Sequence, residues 1–173
     1  LGVDVHGQRR CHLGAGLRHG RDPGLPPAGA AGQRRAAYQQ RYEAENASIF
    51  RANIHASSSA SEGAYVGQLD NTGDPRTASY LDFIVNVPAA RAYTMTIGYA
   101  NATGATATHG LAYNGGAWST VSYPPTSAWG TFGATVSTTV SLRAGYNAIR
   151  LAKGSPFFAG GTGYAEIDYI QVT

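Results

Sequence analysis

The sequence is poor in the residues that cross-link, span or catalyse. A single cysteine, Cys11, excludes an internal disulfide framework, and its Arg- and His-flanked setting gives no reason to expect a reactive thiol. No apolar run approaches the roughly 20 residues that a membrane-crossing helix requires, so no membrane partner is expected. A charged start, apolar middle and small-residue cleavage site are also missing, although a mature exported chain would lack them too. His6, His12 and His19 have no regular ligand spacing. His55 and His109 sit in no nucleophile motif, which leaves a Ser-His-Asp hydrolase unsupported. No repeat of fixed period occurs.

What is present is Gly, Thr, Ser, Tyr and Val, the composition of an all-β protein. At 173 residues the chain suits one domain with a real core. Its formal charge of +3 is unevenly placed. Residues 1–37 hold six Arg against Asp4 and Asp22, which is +4. Residues 38–173 hold six Arg and Lys153 against eight acids, which is −1. The basic balance therefore belongs to the leading segment, and the remainder shows no signal for nucleic acid. Residues 1–37 contain no aromatic residue and no sustained period. They read as a linker or extraneous leader, poorly structured. Residues 38–173 read as the folded module.

Within the module, Leu81, Phe83, Val85 and Val87 alternate with polar positions, as do Tyr93, Met95, Ile97 and Tyr99. Val136, Val140 and Leu142 share one face of a Thr-rich strand. Asn71–Pro75 is a strong turn signal, and Asn114-Gly115 is the best hairpin signal. About nine strands at short intervals, with no convincing helix, predict a β-sandwich or barrel.

The acids are unusually placed. In the closing strand, Glu166 and Asp168 are expected on one face with Ile170 and Val172, because side chains two apart point the same way. In the first strand, read as Gln39–Asn46, Glu43 and Glu45 are likewise expected to share a face. Carboxylates leading into an apolar row need a partner, since an unpaired buried charge is costly. A hard cation such as calcium takes six to eight oxygens of this kind. The bland alternative for either glutamate alone is a solvated edge charge.

Four segments then occur in a telling order: Tyr42-Glu-Ala-Glu45, Gly63–Asp70, Tyr99-Ala-Asn101 and Ile167-Asp-Tyr-Ile170. In this order the domain resembles carbohydrate-binding modules of family 35, and their relatives of family 6. The resemblance covers roughly Gln39 to Thr173. It implies a jelly-roll β-sandwich of two antiparallel sheets that binds sugar without catalysis of its own. It implies attachment to a secreted, polysaccharide-degrading enzyme, hence an extracellular location. It also implies a structural calcium, for which the matching side chains are Glu43, Glu45 and Asp168, joined by backbone oxygens before Tyr65.

The resemblance places the sugar among loops at one end of the sandwich. Trp129, in a Pro- and Ser-containing loop, is the first choice for the stacking ring, and Phe132 is read as its core counterpart. Trp118 is the runner-up, with simple packing as its alternative. Tyr65 is a candidate second wall or a plain sheet residue. Asn101 either fixes a hydroxyl or satisfies its own turn. Relatives that bind uronic acids use a second calcium at the ligand, for which Glu62, Asp70, Asn71 and Glu166 are the oxygen donors here. Arg76 is a further candidate for a sugar carboxylate, since guanidinium matches that geometry. The preferred expectation is thus a calcium-dependent module for anionic, uronic acid-containing polysaccharide. The alternatives are a module of the same fold for neutral galactan or mannan, a small glycoside hydrolase or lyase built on the paired carboxylates, and a structural domain without a sugar site.

Overall fold

The computed structural model describes residues 37–69 and 78–173. Period-two alternation becomes strand wherever it was legible. Eleven strands occur among the described residues: β1 Gln40–Glu43, β2 Ser48–Phe50, β3 Asn53–Ala56, β4 Ala64–Gly67, β5 Ser79–Val87, β6 Arg91–Ala100, β7 Ala107–Tyr113, β8 Ser119–Tyr123, β9 Ala134–Leu142, β10 Gly145–Lys153 and β11 Glu166–Val172. One sheet runs β3-β4-β11-β6-β9, with β1 also paired to β11. The other runs β2-β5-β10-β7-β8. All pairings are antiparallel, giving the expected jelly-roll sandwich.

The core lies between the sheets. Leu81, Phe83, Val85 and Val87 of β5, with Ile149 and Leu151 of β10, supply one wall. Tyr93, Met95, Ile97 and Tyr99 of β6, with Ile167, Ile170 and Val172 of β11, supply the other. Each fully buried aliphatic or Phe side chain contributes roughly 1.5–3 kcal/mol, so these alternating rows drive the closure of the sandwich.

Two local expectations are corrected. The first strand stops at Glu43, because Ala44–Asn46 form a 3-10 turn. Glu43 and Glu45 therefore do not share a strand face. In β11 the register with β6 slips between Ile167 and Tyr169. Ile167, Ile170 and Val172 face the core opposite Tyr99, Ile97 and Met95, while Asp168 is the bulged residue that belongs to neither row. The bulge is what lets the strand keep its apolar face without driving an acid into it. The hairpin signal is borne out: Asn114 and Gly115 turn with positive φ, and β7 pairs antiparallel with β8, which starts at Ser119. The Asn114 side chain is also tied to β10, donating to Asn147 Oδ1 at 2.8 Å and accepting from the Ala148 N–H at 3.1 Å. The two strands that were not anticipated, β2 and β3, are too short to display a period. The Asn71–Pro75 turn and residues 1–36 lie outside the described residues.

Candidate functional site

The carboxylate cluster sits at a seam in the first sheet. One edge of β11 is taken by β6. The other edge is shared end to end by β1, which pairs Glu43 with Tyr169, and β4, which pairs Val66 with Ile167. Asp168 falls at the junction, where neither neighbour covers it. The 3-10 turn Ser61–Gly63 closes the gap. Asp168 accepts the Ser61 N–H at 2.9 Å, and the Ser61 hydroxyl donates to Glu43 Oε1 at 3.0 Å.

The negative charge of this cluster is only partly offset, by Arg41. Asp168 is only 2% exposed. Burial first, then the charges of Glu43 and Glu45, push its carboxyl up to about 6, against the Ser61 N–H and Arg41. Burial also raises Glu43; the Ser61 hydrogen bond and Arg41 oppose this, while Glu45 and Glu62 add to it. Glu43 Oε2 and Glu45 Oε2 are buried without any hydrogen-bond partner. Arg41 supplies the opposing charge, but its guanidinium is spent on the Ser61 hydroxyl at 2.9 Å and on the Tyr169 ring at 3.9 Å. Orphaned, buried, anionic oxygens are what a hard cation takes. Among the described residues no three His, Cys, Asp or Glu side chains form a metal cage by themselves. A calcium ion at the seam would need oxygens beyond these carboxylates to complete its shell.

The sugar-site candidates divide. Trp129 is 45% exposed in the loop before β9. With Glu166, Gln68, Tyr164 and Ala165 it lines a pocket of about 250 Å³. Glu166 opens β11 on the face away from the core, opposite Ala100. Its Oε2 accepts the Gly130 N–H at 2.6 Å. Gly130 takes a positive φ of 63°, which allows the chain to present that N–H directly after Trp129. The Gly130 carbonyl accepts from the Ser57 hydroxyl at 2.6 Å and the Ser59 hydroxyl at 2.9 Å. The residue following Trp129 is thereby pinned on both sides of its peptide.

Tyr65 is buried, in ring contact with His55 and with Phe132; Phe132, expected as the core counterpart of Trp129, is only half-buried and packs on Tyr65 outside the hydrophobic core. Burial raises its phenol, and the Glu166 charge and a hydrogen bond to that carboxylate raise it further. The structure therefore sets Tyr65 behind Glu166, as its support rather than as a pocket wall. Asn101 is fully buried. Its amide donates to the Ala105 and Tyr123 carbonyls, both at 2.8 Å, and its Oδ1 accepts from the Thr103 N–H and hydroxyl at 3.0 and 2.7 Å. No capacity is left for a sugar hydroxyl, so the turn reading of Asn101 prevails. Trp118 lies on the other sheet's outer face, against Phe158. Glu62 is exposed beside Glu43, not at the Trp129 pocket. Arg76, Asp70 and Asn71 lie outside the described residues.

Two pocket residues escaped the sequence reading. Tyr164 is 45% exposed, with the Lys153 ammonium 4.1 Å from its ring centre. Gln68 takes a positive φ of 60° and accepts from the Asn53 amide. An aromatic just before the closing strand was the available signal for Tyr164; Gln68 gave none.

Two antiparallel sheets with an exposed indole beside a fixed carboxylate at the loop end make up a carbohydrate-binding module. The chain belongs to family 35 of these modules: the profile described as "Carbohydrate binding module (family 35)" matches residues 40–173. A family 35 module from Clostridium thermocellum is 30% identical, with a TM-score of 0.65 over 78% of this chain and 98% of that one. The isomalto-dextranase of Arthrobacter globiformis T6, complexed with panose, is 26% identical with a TM-score of 0.68, over 78% of this chain. An exo-β-1,3-galactanase from Phanerochaete chrysosporium, with β-1,3-galactotriose, is 25% identical with a TM-score of 0.65, over 79% of this chain. The chain spans 23% and 30% of those two enzymes. No curated protein sequence matches.

Proposed function

We propose that this chain is a non-catalytic sugar-binding module that tethers a secreted enzyme to polysaccharide, with calcium locking its sandwich. The observation that carries this reading is the exposed Trp129 held over a pocket beside the fixed carboxylate of Glu166. A pyranose presents a flat C–H face to the indole and hydroxyls to Glu166 and Gln68. Trp129 and Tyr164 give the platform, Glu166 accepts hydroxyl hydrogens, and the Ser57 and Ser59 bonds keep the loop in place. Glu43, Glu45 and Asp168, with further oxygens, would hold the calcium, whose charge would offset theirs at the seam where β1 gives way to β4.

Absence of catalysis is supported by the distribution of acids. A glycosidase sets two carboxyl groups across the scissile bond. Here the described lining of the pocket carries one, Glu166, while Glu43, Glu45 and Asp168 face one another at the seam and Asp82 is ion-paired with Arg150 on the other sheet.

The pocket directly suits a neutral sugar, since its described lining holds an anion and no cation. The panose and galactotriose bound to the similar enzymes are neutral as well. A uronic acid is the second reading. It is favoured by Glu166 as an oxygen donor to a second calcium, which would bridge to the sugar carboxylate. Calorimetric titration with panose, β-1,3-galactotriose, mannotriose and trigalacturonate, each with and without chelator, tests both. Neutral-sugar heat that survives gentle chelation supports the first, and trigalacturonate heat abolished by chelator supports the second. No heat with any sugar overturns the proposal.

A further inference from the structure

An open sheet edge is a template for another strand, and most edges here are short or capped. β1, β2, β3 and β8 are only three to five residues long, and Pro124 follows β8 directly. β2 covers β5 from Tyr80 to Asp82. Beyond it, tyrosines cap the backbone of Asn86. Its N–H donates to the Tyr42 hydroxyl at 3.0 Å, and its carbonyl accepts from the Tyr38 hydroxyl at 2.8 Å. β9 has no such guard. It runs nine residues, Ala134–Leu142, with neither charge nor proline. Its register with β6 is unbroken from Ala134 to Leu142, so no bulge bends it away. Among the described residues its other edge pairs with no strand, and its one side-chain hydrogen bond joins Ser137 to Thr96 of β6 at 2.9 Å. The strand is also nearly palindromic. About Thr138 as centre, Ser137 mirrors Thr139, Val136 mirrors Val140, Thr135 mirrors Ser141 and Ala134 mirrors Leu142. Val140 is fully buried, whereas its mirror Val136 is only half-buried.

We propose that β9 is the interface of a homodimer, in which two copies pair this strand antiparallel about a two-fold axis through Thr138. The palindrome is what selects a second copy of this chain as the partner, because one strand then supplies both halves of a self-complementary contact. Each Val136 meets the Val140 of the other copy. Each Ser137 meets the other Thr139, hydroxyl against hydroxyl, as Thr96 and Ser137 already meet between β6 and β9. Charge does not oppose the contact. The strand is neutral, and the two copies of Arg143, the residue after it, fall at opposite ends, roughly 34 Å apart at 3.4 Å per residue. The start of β9 lies by the sugar pocket, since Ala134 pairs with Tyr99 and Glu166 pairs with Ala100 on the same strand. Antiparallel pairing sets the two pockets at opposite ends, so the dimer cross-links two polysaccharide chains rather than gripping one chain twice. That consequence rests on the saccharide reading; the dimer itself does not.

Sedimentation equilibrium of the full chain without sugar, from about 1 µM to about 1 mM, should show a reversible monomer–dimer equilibrium. Thr139 is exposed on the outer face of β9, and its two copies become diagonal neighbours about 7–8 Å apart in the paired strands. Thr139→Lys and Thr139→Glu should each weaken the dimer about fivefold by like-charge repulsion, with the circular dichroism of the wild type. An equimolar mixture of the two variants should restore the dimer, because the diagonal pair is then Lys against Glu. A chain that stays monomeric across the whole range overturns the proposal. So does a dimer indifferent to both substitutions, which would be held by another surface. A dimer that gives no heat with panose or β-1,3-galactotriose overturns the saccharide reading and leaves the interface standing.

Discussion

Replacing Asp168 by Asn should have opposite effects with and without calcium. In the calcium-free protein at pH 7.5 the Asp168 carboxylate is ionised, buried and faced by Glu43 and Glu45. Its rise from 3.8 to about 6 measures how strongly the fold disfavours that charge. At about 1.4 kcal/mol per unit this amounts to at most ~3 kcal/mol. Asparagine keeps an oxygen for the Ser61 N–H and removes the charge. Asp168→Asn should therefore stabilise the chelated protein by about 2 kcal/mol, raising its melting midpoint by roughly 5–10 °C. In excess calcium the wild type gains about 4.1 kcal/mol at a thousandfold excess over Kd, and the variant loses most of that gain. The ranking of the two proteins should invert between chelator and calcium in paired thermal melts followed by circular dichroism. A variant less stable than wild type in both buffers would refute the reasoning, because Asp168 would then be an ordinary structural acceptor and not one oxygen of a cation site.

Other substitutions probe separate links. Trp129→Ala should reduce affinity for the loop-end sugar at least tenfold, read by calorimetry, with a melting midpoint within about 2 °C of wild type, since the ring is half exposed. Ser59→Ala removes a donor to the Gly130 carbonyl and the acceptor of the Phe132 N–H. It should weaken sugar binding about three- to tenfold through the Trp129 loop, while calcium affinity stays unchanged in a direct calcium titration. His109 is fully buried, with neither ring nitrogen partnered among the described residues. Burial, aided by Lys153, lowers it from 6.5 to about 3. The unfolded chain therefore takes up this proton first, and stability falls as pH drops from about 6.5 toward 3, by up to ~1.4 kcal/mol per unit. His109→Phe should flatten that slope in denaturant titrations across the same window.

The sheet rows were legible because burial on one face writes a period of two into the residues themselves. Leu81–Val87 and Tyr93–Tyr99 are the examples. The acids of the seam could be picked out as a group, but their geometry could not. The bulge at Asp168 has no residue signature, and the turn at Ala44–Asn46 depends on β1 leaving β11 where β4 arrives. In the sequence Trp118 adjoins a strand and Trp129 lies in a loop. They fall on different surfaces because β8 pairs with β7, which the local hairpin signal announced, while β9 pairs with β6, a long-range pairing that is unwritten locally. Asn101 showed its polarity but not its four hydrogen bonds, made to Thr103, Ala105 and, 22 residues away at the end of β8, Tyr123.

The most direct single measurement is a crystal structure of the calcium-loaded protein with a bound oligosaccharide, panose or β-1,3-galactotriose. The expected result is a sugar ring face to face with the Trp129 indole, a hydroxyl on Glu166, and an anomalous calcium peak between Glu43, Glu45 and Asp168. A sugar bound away from Trp129, or those three carboxylates splayed with no ion among them, would contradict it.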